Sequence, residues 1–331
     1  MNAVRIVACL AGGGLTTDRA STTCTGLPAG SAHQHYKTRL LRSCKESVKA
    51  PILPSVVRIV TDSTADLSPE QQKTASIAVV PLNVHFGDEV FRDRVDLSGA
   101  EFFRKLKASA QLPRTSQPSI GVFEEMFRSL TEGGDEVVAV LLSGKVSGTY
   151  NAALMAAQSV GGERIEVIDS LSASMALGFL ALEGASKAAA GADRRAVADH
   201  VRSLVPKAKI LCAIDTLTYL ERGGRIGKAR ALVGSLLNFK PLITLRDGEV
   251  VPLGRARGRP QMLDRLVEML RRDGPVTRMA VLHGAAEAEA DHLRTRIAPE
   301  YPEVDVIVTE IGPVLGTHTG PGVIGITYLT A

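Results

Sequence analysis

The fold class of this chain follows from the stretch Val57-Arg58-Ile59-Val60-Thr61-Asp62-Ser63-Thr64-Ala65-Asp66-Leu67-Ser68-Pro69-Glu70-Gln71. The first four residues form a short apolar strand that leads into a polar loop. Ser68 then stands at a helix N-cap, with proline at the first helical position and an acidic first turn. Because a strand, a polar loop and a helix in succession are typical of an open α/β sheet, the stretch predicts an α/β protein.

Polar residues also follow the other main strand of the first half. Glu136 to Leu142 is a nearly continuous apolar run, as expected of a strand buried on both faces of a parallel sheet, and Ser143 and Ser147 come soon after it. Ligands of open α/β sheets bind at the carboxyl ends of the strands. The hydroxyl-bearing loops therefore predict one binding site at that edge. Further candidates from the first loop are Thr61, Asp62 and Ser63.

The chain between these two strands adds another candidate loop. Ile77 to Val84 is predicted as a single second strand, and Ser98 as the cap of a helix. Thr115-Ser116-Gln117-Pro118 is predicted as a loop that precedes a helix from about Ile120. The hydroxyl groups of Thr115 and Ser116 make this loop part of the predicted site.

The second half changes character at about Val205. Lys240 to Leu245 and Glu249 to Leu253 are strands joined by Arg246-Asp247-Gly248, in which Asp-Gly marks a hairpin, and a helical stretch from Ile226 to Leu237 precedes them. Further strands alternate with helices, which predicts a mixed sheet. We therefore expect two domains, 56–205 with a mainly parallel sheet in an α/β/α arrangement and 206–331 with a mixed sheet, and a ligand in the cleft between them.

The charge of the chain is concentrated at its start. Residues 1–55 hold seven Lys and Arg against two Asp and Glu, whereas the remaining residues hold 32 against 33 and are close to neutral. A neutral body with 4% aromatic residues and no Trp does not indicate a nucleic-acid surface. No apolar run approaches the roughly 20 residues that a membrane-spanning helix needs.

Residues 1–55 are predicted to be a disordered extension, or a spurious one translated from an upstream start codon; an uncleaved signal is the second alternative. Cys9, Cys24 and Cys44 lie in this segment and Cys212 lies in an apolar run, a distribution that makes no disulfide pattern. This use of cysteine fits the cytoplasm.

Several enzyme motifs are absent from the sequence. The stretch Gly223-Gly224-Arg225-Ile226-Gly227-Lys228-Ala229 is one residue short of a phosphate-binding loop and has Ala229 in place of the hydroxyl that binds Mg²⁺. Ser147 is not on a Gly-x-Ser-x-Gly elbow, and the seven histidines are scattered. We therefore predict no metal, no cofactor and no catalytic residue.

The stretch Gly312-Pro313-Val314-Leu315-Gly316-Thr317-His318-Thr319-Gly320-Pro321-Gly322 is predicted as a loop that binds an anion or a carboxylate. Its glycines permit close approach of the backbone, its prolines stiffen it, and the histidine and threonines offer hydrogen bonds. Candidate pocket residues here are Gly316, Thr317 and His318.

Five blocks in order carry a resemblance to a known family: Val60 to Leu67, Arg114 to Pro118, Leu142 to Asn151, Leu220 to Ile226, and the His318 stretch. The chain from about Val57 to its end resembles the bacterial DegV family. The resemblance implies binding of a long-chain fatty acid. It further implies service as the carrier of a fatty acid kinase, a dihydroxyacetone-kinase-like subunit of phospholipid metabolism that phosphorylates the carboxylate.

By the same resemblance, the carboxylate contacts are Thr115, a serine of the Leu142 block and His318, and Arg225 contacts the kinase. One family serine in that block is Gly144 here. If the family contact is made by that serine, then Ser143, Ser147 or a water would substitute for it. Two alternatives stay open. One is a serine hydrolase or acyltransferase that uses Ser143 or Ser147 with His318, and the other is a lipid-sensing regulator without a kinase.

Overall fold

The computed structural model of the protein describes residues 56–233 and 239–331. The extension predicted for residues 1–55 lies outside the described residues. Of the helical stretch predicted from Ile226 to Leu237, the described part is a short 3₁₀ helix, Gly227–Leu232.

The described residues form thirteen strands and ten α-helices. The strands are β1 (Val57–Asp62), β2 (Ile77–Val80), β3 (Asn83–Phe86), β4 (Glu89–Arg92), β5 (Arg114–Ser116), β6 (Glu136–Leu141), β7 (Ile165–Asp169), β8 (Ala208–Ala213), β9 (Lys240–Arg246), β10 (Glu249–Ala256), β11 (Val276–His283), β12 (Val306–Glu310) and β13 (Ile324–Thr330). The helices are α1 (Pro69–Thr74), α2 (Gly99–Ala108), α3 (Ile120–Thr131), α4 (Thr149–Ser159), α5 (Ser174–Ala189), α6 (Arg194–Leu204), α7 (Thr218–Arg222), α8 (Gly258–Arg272), α9 (Glu287–Ile297) and α10 (Pro313–Thr319).

The first half is built on a four-stranded parallel sheet in the order β2-β1-β6-β7. Strand β6 is buried on both faces because alternate residues enter different clusters. Val138 and Val140 pack in the cluster that includes α5, whereas Ala139 packs in another with Phe123 and Phe127. The α/β class and the parallel sheet predicted from the sequence are confirmed.

The prediction of one continuous strand from Ile77 to Val84 was wrong. Pro81 lacks the N–H that a ladder needs, and the chain leaves the parallel sheet there. The continuation, β3, instead forms a small antiparallel sheet in the order β4-β3-β5. Thr115, predicted in a loop, lies in β5 opposite Val84.

The second half is built on a six-stranded mixed sheet in the order β10-β9-β8-β13-β11-β12. Asp247 and Gly248 both have positive φ, as the predicted Asp-Gly hairpin between β9 and β10 requires. One buried cluster runs from the first sheet through α5 to residues of this second sheet such as Ile243 and Leu282. The boundary proposed at Val205 falls in a 3₁₀ turn between the two sheets, and we keep the two-domain division as a proposal.

Local signals account for several helix ends. Ser68 and Ser98 each form the predicted cap, with the side chain of the third helical residue bonding back to the cap. The His318 stretch, in contrast, was wrongly predicted as a loop, because it forms the short helix α10. Pro313 occupies the first helical position, where it is tolerated, and Gly320 ends the helix with a φ of 75°. Within the described residues, no helix has the length and apolarity to span a bilayer.

Candidate functional site

A cavity of about 340 Å³ lies among residues of the small antiparallel sheet, the six-stranded sheet and α10. Its volume is in the range of roughly 300–1,000 Å³ that small-molecule sites occupy. Most of its wall is aliphatic. The apolar lining residues are Leu82, Leu142, Val146, Ala173, Ile210, Cys212, Leu220, Ile243, Leu245, Val250, Leu282, Ile311, Val314, Leu315 and Val323, and the polar ones are Thr115, Ser116, Gln117, Ser147, Ser174, Arg225, Thr244, His318 and Thr319.

Two of the predicted site residues meet in this cavity. Oγ1 of Thr115, in β5, lies 2.9 Å from Nε2 of His318, in α10. The pair joins the small antiparallel sheet of the first half to the last helix of the chain. The backbone of Gly223 packs behind the imidazole, since a Cβ at that position would overlap His318 Nδ1.

His318 is held in its neutral form. Burial lowers its pKa to about 4, and the nearby Arg225 guanidinium acts in the same direction. Nδ1 of the ring is buried and has no hydrogen-bond partner in the part of the chain that the structure describes. A neutral imidazole can donate from one nitrogen only, so a proton on Nε2 lets Thr115 accept that bond and direct its own hydroxyl proton elsewhere.

Arg225 gives the cavity its positive charge. Its side chain is half-buried, with Nε donating to the carbonyl of Val146 at 3.0 Å and Nη1 donating to the carbonyl of Gly223 at 2.7 Å. The cavity-lining residues that the structure describes include no Asp or Glu. The wall is therefore suited to an anion rather than to a cation.

The two candidate serines differ in position. Ser147 lines the cavity, and its Oγ lies 2.8 Å from Oγ1 of Thr149. Ser143 is fully buried outside the cavity lining, where its Oγ donates to the carbonyl of Gly248 at 2.8 Å. Ser143 thus fastens the β9–β10 hairpin to the first half.

Gly144 has a local reason to lack a side chain. Its backbone N–H points at the Asp169 carboxylate, and a Cβ at this position would lie 2.9 Å from Asp169 Oδ2. A serine here would therefore require Asp169 to shift.

The predicted pocket residues of the first loop do not line the cavity. Thr61, Asp62 and Ser63 are buried outside the cavity lining. Ser63 Oγ donates to Asp93 at 2.7 Å, whereas Thr61 Oγ1 has no hydrogen-bond partner among the described residues. Asp62 accepts from the backbone N–H of Leu142 at 2.7 Å, and thus ties the ends of β1 and β6 together.

Of the remaining predicted pocket residues, one lines the cavity and two do not. Ser116 lines the cavity and bonds to Nε2 of His85 at 2.9 Å. Thr317 donates to the carbonyl of Pro313 within α10, and Gly316 packs against Phe102, so neither lines the cavity.

Sequence reasoning missed several lining residues. Gln117 and Thr319 are sequence neighbours of the predicted residues Ser116 and His318, so the same motifs could have identified them. Ile210 and Cys212 alternate along β8 toward the cavity, a period of two that identifies a common face of a strand but not what that face encloses. Ser174 has a φ of 53°, a conformation that the sequence does not indicate.

A second, larger groove of about 690 Å³ lies across β8 and β9. Its lining includes both cations and carboxylates, namely Arg202, Lys209, Arg246, Arg272, Asp247 and Asp273. This mixture of exposed charges suits an apolar ligand less well than the aliphatic wall of the first cavity.

The fold and the first cavity define an α/β protein with an internal, mainly aliphatic binding cavity. The family model of the DegV family of uncharacterised proteins matches residues 56–331. The chain belongs to the DegV family, as the sequence motifs predicted.

Individual relatives agree with this assignment. A DegV domain-containing protein of Halalkalibacterium halodurans is 38% identical over 277 residues, which cover 82% of this chain and 98% of that protein. The structure of a DegV family protein from Thermus thermophilus, described for its fatty acid binding, has a TM-score of 0.79 and 34% identity over 83% of this chain and 100% of the other. DegV from Bacillus subtilis, described as a fatty acid binding protein, has a TM-score of 0.78 and 31% identity over 84% and 100%.

Proposed function

We propose that the 340 Å³ cavity binds a long-chain fatty acid, with its carboxylate at Thr115, Ser147 and His318 and its tail along the aliphatic wall. The observation that carries the proposal is the Thr115–His318 pair, 2.9 Å apart, beside Arg225 in a wall that is otherwise mostly aliphatic. Two relatives of this fold are described as fatty acid binding.

The free energy of binding comes mainly from the tail. At about 0.8 kcal/mol for each buried CH₂, a tail of roughly sixteen carbons contributes about 13 kcal/mol before the entropy of association is deducted. Three hydrogen bonds of about 1 kcal/mol each contribute much less. The polar residues therefore set the orientation of the ligand more than its affinity.

The carboxylate is then presented to a separate ATP-dependent kinase of the cytoplasm, which forms the acyl phosphate. Arg225 supports this step, because its guanidinium is part of the cavity wall and remains half-exposed to a partner. In this role the protein supplies the ligand geometry and the partner supplies the chemistry.

A serine hydrolase fits the geometry less well. Nε2 of His318 is engaged by Thr115, and Oγ of Ser147 lies next to Thr149. Ser143 is engaged by the Gly248 carbonyl outside the cavity lining. Among the described residues, no hydrogen bond joins either serine to His318, and a serine nucleophile depends on such a base.

Mass spectrometry of the purified full chain separates these functions. A carrier releases intact fatty acid on denaturation and has an unmodified mass, whereas an acyl-enzyme carries a covalent increase on a serine. Protein purified from lipid-containing cells with neither species would contradict both. Addition of a dihydroxyacetone-kinase-like subunit and ATP then tests the carrier role, because a regulator without a kinase gives no acyl phosphate.

A further inference from the structure

Two buried carboxylates lie behind the cavity, at the start of helix α10. Asp66 and Asp93 are each 1% exposed, and neither lines the cavity. Asp66 Oδ1 accepts from the backbone N–H of Gly312 at 2.9 Å and from Arg94 Nη2 at 2.8 Å. Its other oxygen accepts from Ser174 Oγ at 2.6 Å.

Asp93 approaches the same helix from another side. Its Oδ2 accepts from Ser63 Oγ at 2.7 Å, and its Oδ1 lies 3.4 Å from the backbone nitrogen of Val314. Gly312 lies close to Asp93 and Arg94. A Cβ at this position would lie 2.9 Å from Asp93 Oδ1 and 2.9 Å from Arg94 Nε, so a larger residue would crowd both side chains. Arg94 closes the cluster by donating to the carbonyl of Glu310 as well.

The contacts converge on one short segment that carries the cavity wall. Helix α10 has seven residues and no side-chain cap of its own, since Gly312 is its N-cap. Four of its residues, Val314, Leu315, His318 and Thr319, line the cavity. Ser174, at the first position of α5, lines the cavity from another side and is bound to Asp66.

Stability alone gives no reason for this cluster. Removal of two carboxylates from water costs several kcal/mol for each ion in typical proteins, and apolar residues of similar volume are often as stable or more so. Burial also raises the pKa of Asp93 to about 7. Buried carboxylates that cost this much desolvation free energy are explained best if they hold the surrounding segments in one arrangement.

We propose that Asp66 and Asp93 are positioning residues of the head-group site. They fix the first turn of α10 against Ser174, and thereby keep His318 Nε2 within hydrogen-bond distance of Thr115. The inference rests on the proposed function for its ligand but not for its geometry. Neither carboxylate touches the fatty acid.

The test compares Asp66→Asn and Asp93→Ala with a matched control, Asp62→Asn. Asp62, the last residue of β1, is also fully buried, but its bonds go to Thr64 and Leu142 and not to α10. The readouts are the His318 imidazole signal in spectra of ¹⁵N-histidine-labelled full chain, assigned with His318→Gln, and the amount of fatty acid retained. Thermal unfolding measures the stability of each variant.

We expect Asp66→Asn and Asp93→Ala to displace the His318 signal, whereas the amount of retained fatty acid, which depends mainly on the tail, changes much less. Asp62→Asn lowers stability but leaves the His318 signal at its wild-type position. Asp93→Asn keeps an oxygen toward Val314, so we expect its His318 signal to lie closer to the wild-type position than that of Asp93→Ala. If Asp66→Asn does not fold, Gly312→Ala disturbs the same junction by crowding Asp93.

Two results overturn the inference: a wild-type His318 signal in both carboxylate variants, or an equal displacement in the Asp62 control. Absence of retained fatty acid from the wild-type protein contradicts the proposed function instead. The His318 signal still decides the positioning role in that case.

Discussion

Thr115 and His318 are 203 positions apart in the chain, yet Oγ1 of Thr115 lies 2.9 Å from Nε2 of His318 in the wall of the cavity. The contact depends on two short elements, β5 and α10, that belong to different halves of the chain. Because burial lowers the pKa of His318 to about 4, we propose that the imidazole orients the threonine hydroxyl and does not supply charge.

Replacement of Thr115 by valine tests this pair. Thr115→Val keeps the shape of the side chain but removes the hydroxyl, so we expect kinase-coupled formation of acyl phosphate to fall about tenfold or more, the loss of one hydrogen bond to a charged group. Retained fatty acid, which depends on the tail, changes much less. Thr131→Val, which removes a hydroxyl bonded within α3, is the control. Unchanged turnover in Thr115→Val would remove the residue from the site.

Gly223 offers a test of the imidazole position. A methyl group added by Gly223→Ala overlaps His318 Nδ1, so the ring or α7 must move. We expect a loss of stability of about 1–3 kcal/mol, typical of overpacking, together with loss of the Thr115 contact. Gly133→Ala, where a Cβ meets nothing within 4 Å, is the matched control. Equal unfolding midpoints and turnover in the two variants would contradict the observed packing.

The depressed pKa of His318 predicts a dependence of stability on pH. Its folded pKa of about 4 lies below its ordinary value of 6.5, so the unfolded chain binds the proton more readily between these values. This contribution to the free energy of unfolding is fully present above pH 6.5 and is lost as pH falls toward 4. Urea unfolding at pH 7 and pH 4.5 measures it. In His318→Gln the difference in unfolding free energy should be smaller by on the order of 2 kcal/mol.

Much of the fold was predictable because its signals are local. The capped helices at Ser68 and Ser98 and the hairpin at Asp247 are encoded within a few residues each. Strand β5 was not predictable, since its three residues pair with β3, about thirty positions away, and carry no alternation of their own.

The sequence allowed many residues of the candidate site to be named, but it did not show in which direction their side chains point. Ser143 and Ser147 belong to one motif, yet the turn between them sends the first to a hairpin carbonyl and the second to the cavity. Asp66 and Asp93 were beyond a sequence argument, because buried polar groups are identified only by what surrounds them.

A substitution of Arg225 can distinguish the contribution of its positive charge from that of its planar guanidinium in the proposed kinase contact. Arg225→Lys keeps the charge but loses the planar fork that bonds Val146 and Gly223. If the kinase binds the guanidinium through paired hydrogen bonds, we expect Arg225→Lys to need a carrier concentration about tenfold higher for half-maximal phosphorylation. The variant should still retain its fatty acid. Lys145→Arg, at an exposed neighbouring site, is a control for charge at this surface. A lysine variant that loses its fatty acid would show that Arg225 acts in binding.

A chain that begins at Ser55 tests the prediction for residues 1–55. The family model matches residues 56–331, and these residues hold 32 Lys and Arg against 33 Asp and Glu. If the first 55 residues add nothing to the fold, the shortened chain should fold with an unchanged unfolding midpoint and retain its fatty acid. Its isoelectric point should fall from the sequence value of about 8.9 to near or below neutrality, because the excess of seven Lys and Arg over two Asp and Glu is gone. Isoelectric focusing and thermal unfolding provide these measurements. Aggregation of the shortened chain would contradict the prediction, because it would mean that apolar surface of the first α/β half had lost its cover.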